Sequence, residues 1–282
     1  MDEQSVQQFR AEVIARKNLP TIPTVLAKIL QLVDAESASG KELIKVIEHD
    51  QALTGKMLRL ANSAFFGQTR KVATIPRAVV LLGFSTVRNL ALGVKVWDAL
   101  GTGIARTRLD ELWAHAVTVA VATKALAARL RAGDPDEGFT AGLLHDVGRL
   151  VLAMRFRDEY WRVVGGASEV EAIDRLEASS LGVDHAEVGG WILEAWSLPP
   201  AIVEAVRGHH AVGARPGVAG LLAITDRLAA WTDLADGTMR PEATALLARG
   251  EDSGVTPALW QEVLVGLREG GGELAALARL EG

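Results

Sequence analysis

Apolar residues recur three and four positions apart along most of this chain, the spacing that lines one face of an α-helix. The opening residues follow it to about Lys17. Leu19-Pro20-Thr21-Ile22-Pro23 then interrupts it, because each proline pushes the preceding residue out of helical conformation. Thr24 is placed to cap a helix whose Val25, Leu26, Ile29, Leu30 and Val33 form one stripe. Leu43, Ile44 and Ile47 mark a short helix after Gly40. Another starts at His49-Asp50, turns Leu53, Met57, Leu58 and Ala61 inward, and closes at Asn62-Ser63. Pro76 suits the first turn of the next. Gly83 ends that helix, and Ser85 can cap one running through Asp98, before the linker Gly101-Thr102-Gly103.

Past the linker a long helix is expected from Asp110 to about Arg131, closed by Gly133-Asp134-Pro135. A helix carrying His145 and Asp146 follows. Arg155 to Gly166 reads as a mixed connection, and a helix from Val170 to about Ser179 comes next. Asp184 caps a helix starting at His185, with Glu187 completing a capping box. Pro199-Pro200 opens a helix ending in His209-His210, Gly217 opens the one bearing Asp226, and Pro257 opens another. Strand-like alternation and Asn-Gly turns are missing, so the expected fold is all-α. The division expected is an N-terminal helical lobe over 1–100, a second lobe over 101–235, and a helical extension over 236–282. The extension either packs on the second lobe or mediates self-association.

Composition narrows the picture. The 282 residues are 49% apolar and 23% charged, as in a soluble globular protein, and carry a net charge of −5. That balance argues against direct nucleic-acid binding and against an anionic membrane surface. The chain contains no cysteine, which removes disulfides, thiolate-held zinc and thiol nucleophiles together. The amino terminus lacks the apolar core of a secretory signal, and no window reaches the roughly 18 apolar residues of a membrane span. A cytoplasmic protein is expected.

Candidate chemistry gathers in the second lobe. Burying His145 and Asp146 in the apolar run Gly142–Leu150 is costly unless a partner satisfies them, and a divalent metal or neighbouring side chains could each do so. Glu111 and His115 lie four apart, on one helix face. With His185, His209, His210 and Asp226 they complete a set of metal-ligand types drawn from five helices, containing five of the six histidines. Other roles stay open: Glu111 favouring the positive end of a helix, His115 a packed core side chain, His185 a surface residue. His209 and His210 suit a helix carboxyl end, and Asp226 could pair with Arg227. Nitrogen and oxygen ligands without thiolate suit Fe, Mn or Zn.

Several stretches together resemble the HDOD domain, a bacterial signalling module related to the HD and HD-GYP phosphohydrolases. They are Leu19–Pro23, His49-Asp50-Gln51-Ala52-Leu53-Thr54, Leu58–Gly67, Ile75–Gly83 and Leu143-Leu144-His145-Asp146-Val147-Gly148. The resemblance implies a two-lobed helical HDOD fold with an HD-like second lobe, and a role as a signal-transduction adaptor binding protein partners. The order of ligand-type residues is similar to that of HD-GYP proteins, where they hold two or three metal ions. Two ions about 3.5–4 Å apart could activate water for phosphodiester cleavage, with Asp146 and Arg149 as catalytic candidates. The Gly-Tyr-Pro element is missing, however, and Arg149 stands in place of a catalytic-type lysine. Arginine can grip a phosphate but cannot share a proton as lysine does. A non-hydrolytic regulator is therefore the expectation. Hydrolysis of a cyclic dinucleotide, or its binding without cleavage, is the alternative.

Overall fold

A computed structural model describes residues 2–15, 24–34, 39–62, 71–165, 173–211, 217–233, 236–248 and 254–269. Helices account for the regular structure there. The first six are α1 (Glu3–Ile14), α2 (Thr24–Asp34), α3 (Gly40–Glu48), α4 (Gln51–Ala61), α5 (Ile75–Leu82) and α6 (Phe84–Leu100). The starts of α1, α3, α4 and α5 are set by short polar side chains that accept otherwise unsatisfied backbone N–H groups. Asp50 accepts from Leu53 at 2.9 Å and Thr74 from Arg77 at 3.3 Å. Asn62 closes α4 by donating to the Leu58 and Val72 carbonyls and accepting from the Val72 amide, clipping the chain on both sides of the 63–70 segment. The start of α6 departs from expectation: Gly83, at φ +87°, occupies the cap position, and Ser85 falls inside the first turn. Phe65, Phe66, Arg70 and the Leu19–Pro23 run lie outside the described residues.

The remaining helices are α7 (Arg106–Leu130), α8 (Pro135–Leu144), α9 (Val147–Phe156), α10 (Asp158–Gly165), α11 (Ile173–Leu181), α12 (His185–Ala195), α13 (Pro200–Arg207), α14 (Gly217–Ala230), α15 (Pro241–Ala248) and α16 (Pro257–Glu269). Several boundaries differ from those read in the sequence; α13, for one, ends at Arg207, so His209 and His210 lie beyond the helix they were expected to close. α7 begins at Arg106, whose guanidinium pairs with Asp110 at 2.9 Å, so the expected start is already one turn inside. The supposed connection after Arg155 contains α10, whose charged residues mask a short face carrying Tyr160. Most consequentially, His145 and Asp146 are not mid-helix. They form the two-residue junction between α8 and α9, and the apolar spacing runs on across it because both helices are buried.

One contiguous apolar core runs from Phe9 to Leu267. α1 packs on α12, with Phe9 edge-on to both Phe156 and Trp191 at about 6 Å. α16 lies on α7 and buries Trp260 fully. The floor beneath the α8–α9 junction is a T-shaped pair, Trp97 of α6 and Trp113 of α7, with ring centroids 5.4 Å apart. The Trp97 indole donates to the Leu143 carbonyl at 2.9 Å and so anchors the end of α8, two residues before His145. Glycine permits a close helix contact here: a Cβ on Gly142 would sit 2.3 Å from the Ala120 Cα, so α8 lies directly on the α7 backbone. Among the described residues no single helix is long and apolar enough to cross a membrane.

Candidate metal centre

Five separate parts of the fold deliver ligand-type side chains to one place. His115 comes from the middle of α7, and His145 and Asp146 from the α8–α9 junction. His185 is the first residue of α12, where Asp184 caps the helix by accepting from the Glu187 amide at 2.9 Å. The other half of the expected capping box is missing, since the Glu187 carboxylate turns to Trp191 and Arg207 instead. His209 and His210 lie in the turn that follows α13, and Asp226 sits on α14. A buried hydrogen bond of 2.7 Å between Thr123 and Thr225 holds α14 against α7 and so brings Asp226 alongside His115. Glu111 is the exception. It is exposed one turn before His115, and the grouped ligand atoms do not include it.

Three overlapping sets of ligand atoms, each within 4.8 Å, are found among the described residues: His185 with His209 and His210, His115 with His145 and Asp146, and His145 with His209 and Asp226. Backbone and carboxylate acceptors fix the ring orientations. The Nδ1 of His145 lies 2.7 Å from the Gly142 carbonyl and that of His209 lies 2.6 Å from the Val206 carbonyl, so both must carry the proton there. His185 Nδ1 meets the Glu177 carboxylate at 2.5 Å. The Nε2 atoms are thereby turned inward. That of His185 lies 2.8 Å from His210 Nε2, 3.2 Å from His209 Nε2 and 3.2 Å from Asp146 Oδ1. Two bare imidazole nitrogens repel at such separations unless a proton or cation lies between them.

Whether a metal fits can be judged at His145. Its Nε2 is buried without a hydrogen-bond partner, 3.5 Å from Asp226 Oδ1 and 3.6 Å from Asp146 Oδ1. Those gaps exceed a hydrogen bond and suit a shared cation, and a fully desolvated, unpaired acceptor is otherwise a cost of about 1–3 kcal/mol. The residues present therefore fit a divalent ion. His115 donates the remaining close contact, Nε2 to Asp226 Oδ1 at 2.8 Å.

Without a metal, protons share out the same charges. Burial opposes ionisation of Asp146 and Asp226, yet His145, Arg149 and His185 around the first, and His115 and His145 around the second, hold both well below the usual carboxylate range. Burial likewise disfavours the His185 cation, but the Glu177 and Asp146 carboxylates push that ring up to about 10. His145 is also raised. His209 is driven the other way by burial and by the charges of His210, His145 and His185, and His210 is lowered as well. A pH dependence follows for the metal-free protein. Below about pH 6.5 an unfolded histidine takes a proton that native His209 refuses, so stability falls on acidification by about 1.4 kcal/mol per pH unit for each such group. His185 and His145 are protonated in both states there and add no slope; their stabilisation is lost instead as pH rises. Urea unfolding of chelator-stripped protein at pH 7 and pH 5.5 is expected to show the loss, and His209→Gln to reduce it. A flat profile would contradict the assignment.

Two members of the site, Tyr160 and Glu177, escaped the sequence reading. Arg149 donates to Asp146 Oδ2 at 3.1 Å and to the Tyr160 hydroxyl at 3.1 Å. Tyr160 in turn donates to Glu177 Oε1 at 2.9 Å, while Glu177 Oε2 accepts from both the backbone and the ring of His185. Glu177 is fully buried. A signal for it existed: Ile173, Glu177 and Leu181 are four apart, so the carboxylate occupies a position of the buried stripe of α11.

With this geometry in view, comparison with known proteins settles the lineage. The profile of the HDOD domain matches residues 19–212, well over half of the chain. The chain belongs to the HDOD family. This HDOD protein is 28% identical to a proposed phosphohydrolase from Shewanella amazonensis SB2B, whose crystal structure it matches over 94% of its own length and 98% of the other, with a TM-score of 0.72. An HDOD domain protein of unknown function from Geobacter sulfurreducens, 23% identical, shares the fold over 99% of both chains at a TM-score of 0.75. An uncharacterized protein of Treponema pallidum (strain Nichols) is 26% identical over 201 residues, which span 68% of this HDOD protein but 38% of the relative.

Proposed function

We propose that this HDOD protein is a regulatory module that holds a divalent ion among its C-terminal helices and acts by binding a signalling partner rather than by turnover. The observation that carries the non-hydrolytic reading is the placement of Arg149. Its guanidinium is folded back onto Asp146 and Tyr160, with 14% of the side chain exposed. A cation so committed is withdrawn from a substrate phosphate. The orphaned Nε2 of His145 supports the metal, and the nitrogen and oxygen donor set suits Fe, Mn or Zn. A bound ion would supply Lewis acidity and offset the charges of Asp146 and Asp226.

The second reading is a metal-dependent phosphohydrolase acting on a cyclic dinucleotide. It is favoured by the partial exposure of His115 and His210, 23% and 19% of their side chains, which opens the cluster on one side. The name of the Shewanella relative points the same way.

Elemental analysis of tag-free protein beside a His145→Ala/Asp146→Ala control tests the proposal. Near-stoichiometric Fe, Mn or Zn is expected in the wild type and its loss in the control, with no hydrolysis of cyclic dinucleotides when Mn or Fe is supplied anaerobically. Reproducible turnover that disappears in the control would replace the proposal with the hydrolase reading. Saturable calorimetric binding without turnover would make the protein a cyclic-dinucleotide receptor. Metal-free protein even after reconstitution would remove the ion.

A further inference from the structure

The hydrogen bonds around Asp146 and His185 close into a ring. Asp146 Oδ2 pairs with Arg149, Arg149 Nε reaches Tyr160, Tyr160 donates to Glu177 Oε1, Glu177 Oε2 holds His185 Nδ1, and His185 Nε2 returns to Asp146 Oδ1 at 3.2 Å. The ring passes through two inward-facing candidate ligands and three residues whose polar atoms face each other instead. Tyr160 is fully buried and is the chain's one tyrosine. Such a hydroxyl is costly to bury unless both its donor and its acceptor capacity are used. Here both are.

From this closure we infer that Glu177 is a positioning residue for the metal centre, held in place by Tyr160 and Arg149, and that it presents His185 Nε2 to the ion in a single ring orientation. The inference rests on the metal reading above. Two contacts make Glu177 more than a packing group. Accepting from the His185 ring forces the proton onto Nδ1 and leaves Nε2 as the ligating atom. Accepting at the same time from the His185 amide, at 2.8 Å, fixes the first residue of α12 to the same carboxylate. Ring and backbone thus cannot move independently. A carboxylate behind a ligating imidazole also raises its donor strength, and loss of such partners typically weakens metal binding by about 10–100-fold. Tyr160 acts one bond further out. It occupies Oε1, so that Oε2 remains for His185, and it ties the carboxylate to the arginine that anchors Asp146. One bracket thereby aligns the nitrogen ligand of α12 with the oxygen ligand of the α8–α9 junction. The bracket's outer members come from α10 and α11, which pack on α9 and α12, the helices flanking those two ligands.

The test uses the full chain, stripped with chelator and titrated with Co²⁺, read by visible absorption and calorimetry. Glu177→Gln keeps the size of the side chain and is expected to bind Co²⁺ about 10–100-fold more weakly, with a displaced ligand-field band. Tyr160→Phe, which leaves the carboxylate in place, is expected to fall between that variant and the wild type. Glu194→Gln removes an exposed carboxylate paired with Arg207 and should match the wild type in both readouts. The band position separates positioning from general softening of the fold, since a merely structural role would weaken binding without altering the ligand field. Wild-type affinity and spectrum in Glu177→Gln would overturn the inference and leave the metal reading standing. Failure of the wild type to bind Co²⁺ would overturn both.

Discussion

Gly148→Ala is expected to lose about 3 kcal/mol of folding stability, the upper end of the usual cost of overpacking, and most of the metal affinity. Alanine is normally the better helix former by about 1 kcal/mol, so the sign of the effect depends on what the added methyl would meet. At Gly148 a Cβ would stand 1.9 Å from the His185 carbonyl oxygen and 2.7 Å from the Gly189 amide nitrogen. Both are backbone atoms, and no rotamer change relieves the overlap. Either α9 or α12 must move, and overpacking of this severity costs typically about 1–3 kcal/mol and sometimes more. The same movement parts Asp146 from His185, now 3.2 Å apart. Gly266→Ala supplies the contrast, because open space surrounds that position of α16 and stabilisation by about 0.5–1 kcal/mol is expected. Urea unfolding of both variants without metal, followed by Co²⁺ titration, measures the two effects. An unchanged midpoint for Gly148→Ala would show that α9 and α12 do not touch as described.

Asp226→Ala is expected to be as damaging, for an electrostatic reason. One carboxylate oxygen lies 2.8 Å from His115 and 3.5 Å from His145, and the other 3.9 Å from His210. Asp226 is thus the carboxylate on which rings from three parts of the fold converge, and the counter-charge beside the raised His145. Removing one partner from a buried charged cluster costs about 3–5 kcal/mol, since the charge left behind has lost its compensation. The metal-free variant should be destabilised by that order at neutral pH, and Co²⁺ binding should vanish at concentrations that saturate the wild type. Asp110→Ala, which disturbs an exposed pair with Arg106, should change stability by less than about 1 kcal/mol. Equal effects of the two substitutions would argue against a central role for Asp226.

Much of this arrangement could be read from residue spacing, and the failures share a cause. The caps at Asp50, Thr74 and Asp184 fall where short polar side chains precede apolar stripes, because capping is a local interaction. Seven of the eight expected ligand-type residues converge, since a titratable group repeated inside apolar runs has to find company. Glu111 failed because helical proximity to His115 says nothing about which face is buried. The α8–α9 break was hidden by apolar residues on both sides of it, a pattern that cannot distinguish one buried helix from two. Tyr160 and Glu177 lie in stretches rich in Asp, Glu and Arg, where charge normally marks solvent. The tertiary partner Arg149 gives Tyr160 its reason to be inside, whereas Glu177 is betrayed only by its four-residue spacing from Ile173 and Leu181.

The convergence of ligands from α7 and α14 has a topological consequence. His115 and Asp226 are 111 positions apart in the chain and 2.8 Å apart in space. A metal ion held by this cluster would staple α7 to α14, in a protein that contains no cysteine and so cannot form a disulfide. Unlike a disulfide, such a staple can be released by a chelator or by proton competition without reduction of any bond. Occupancy would then set how readily this half of the molecule opens, with a stabilisation that grows with free metal concentration relative to its dissociation constant.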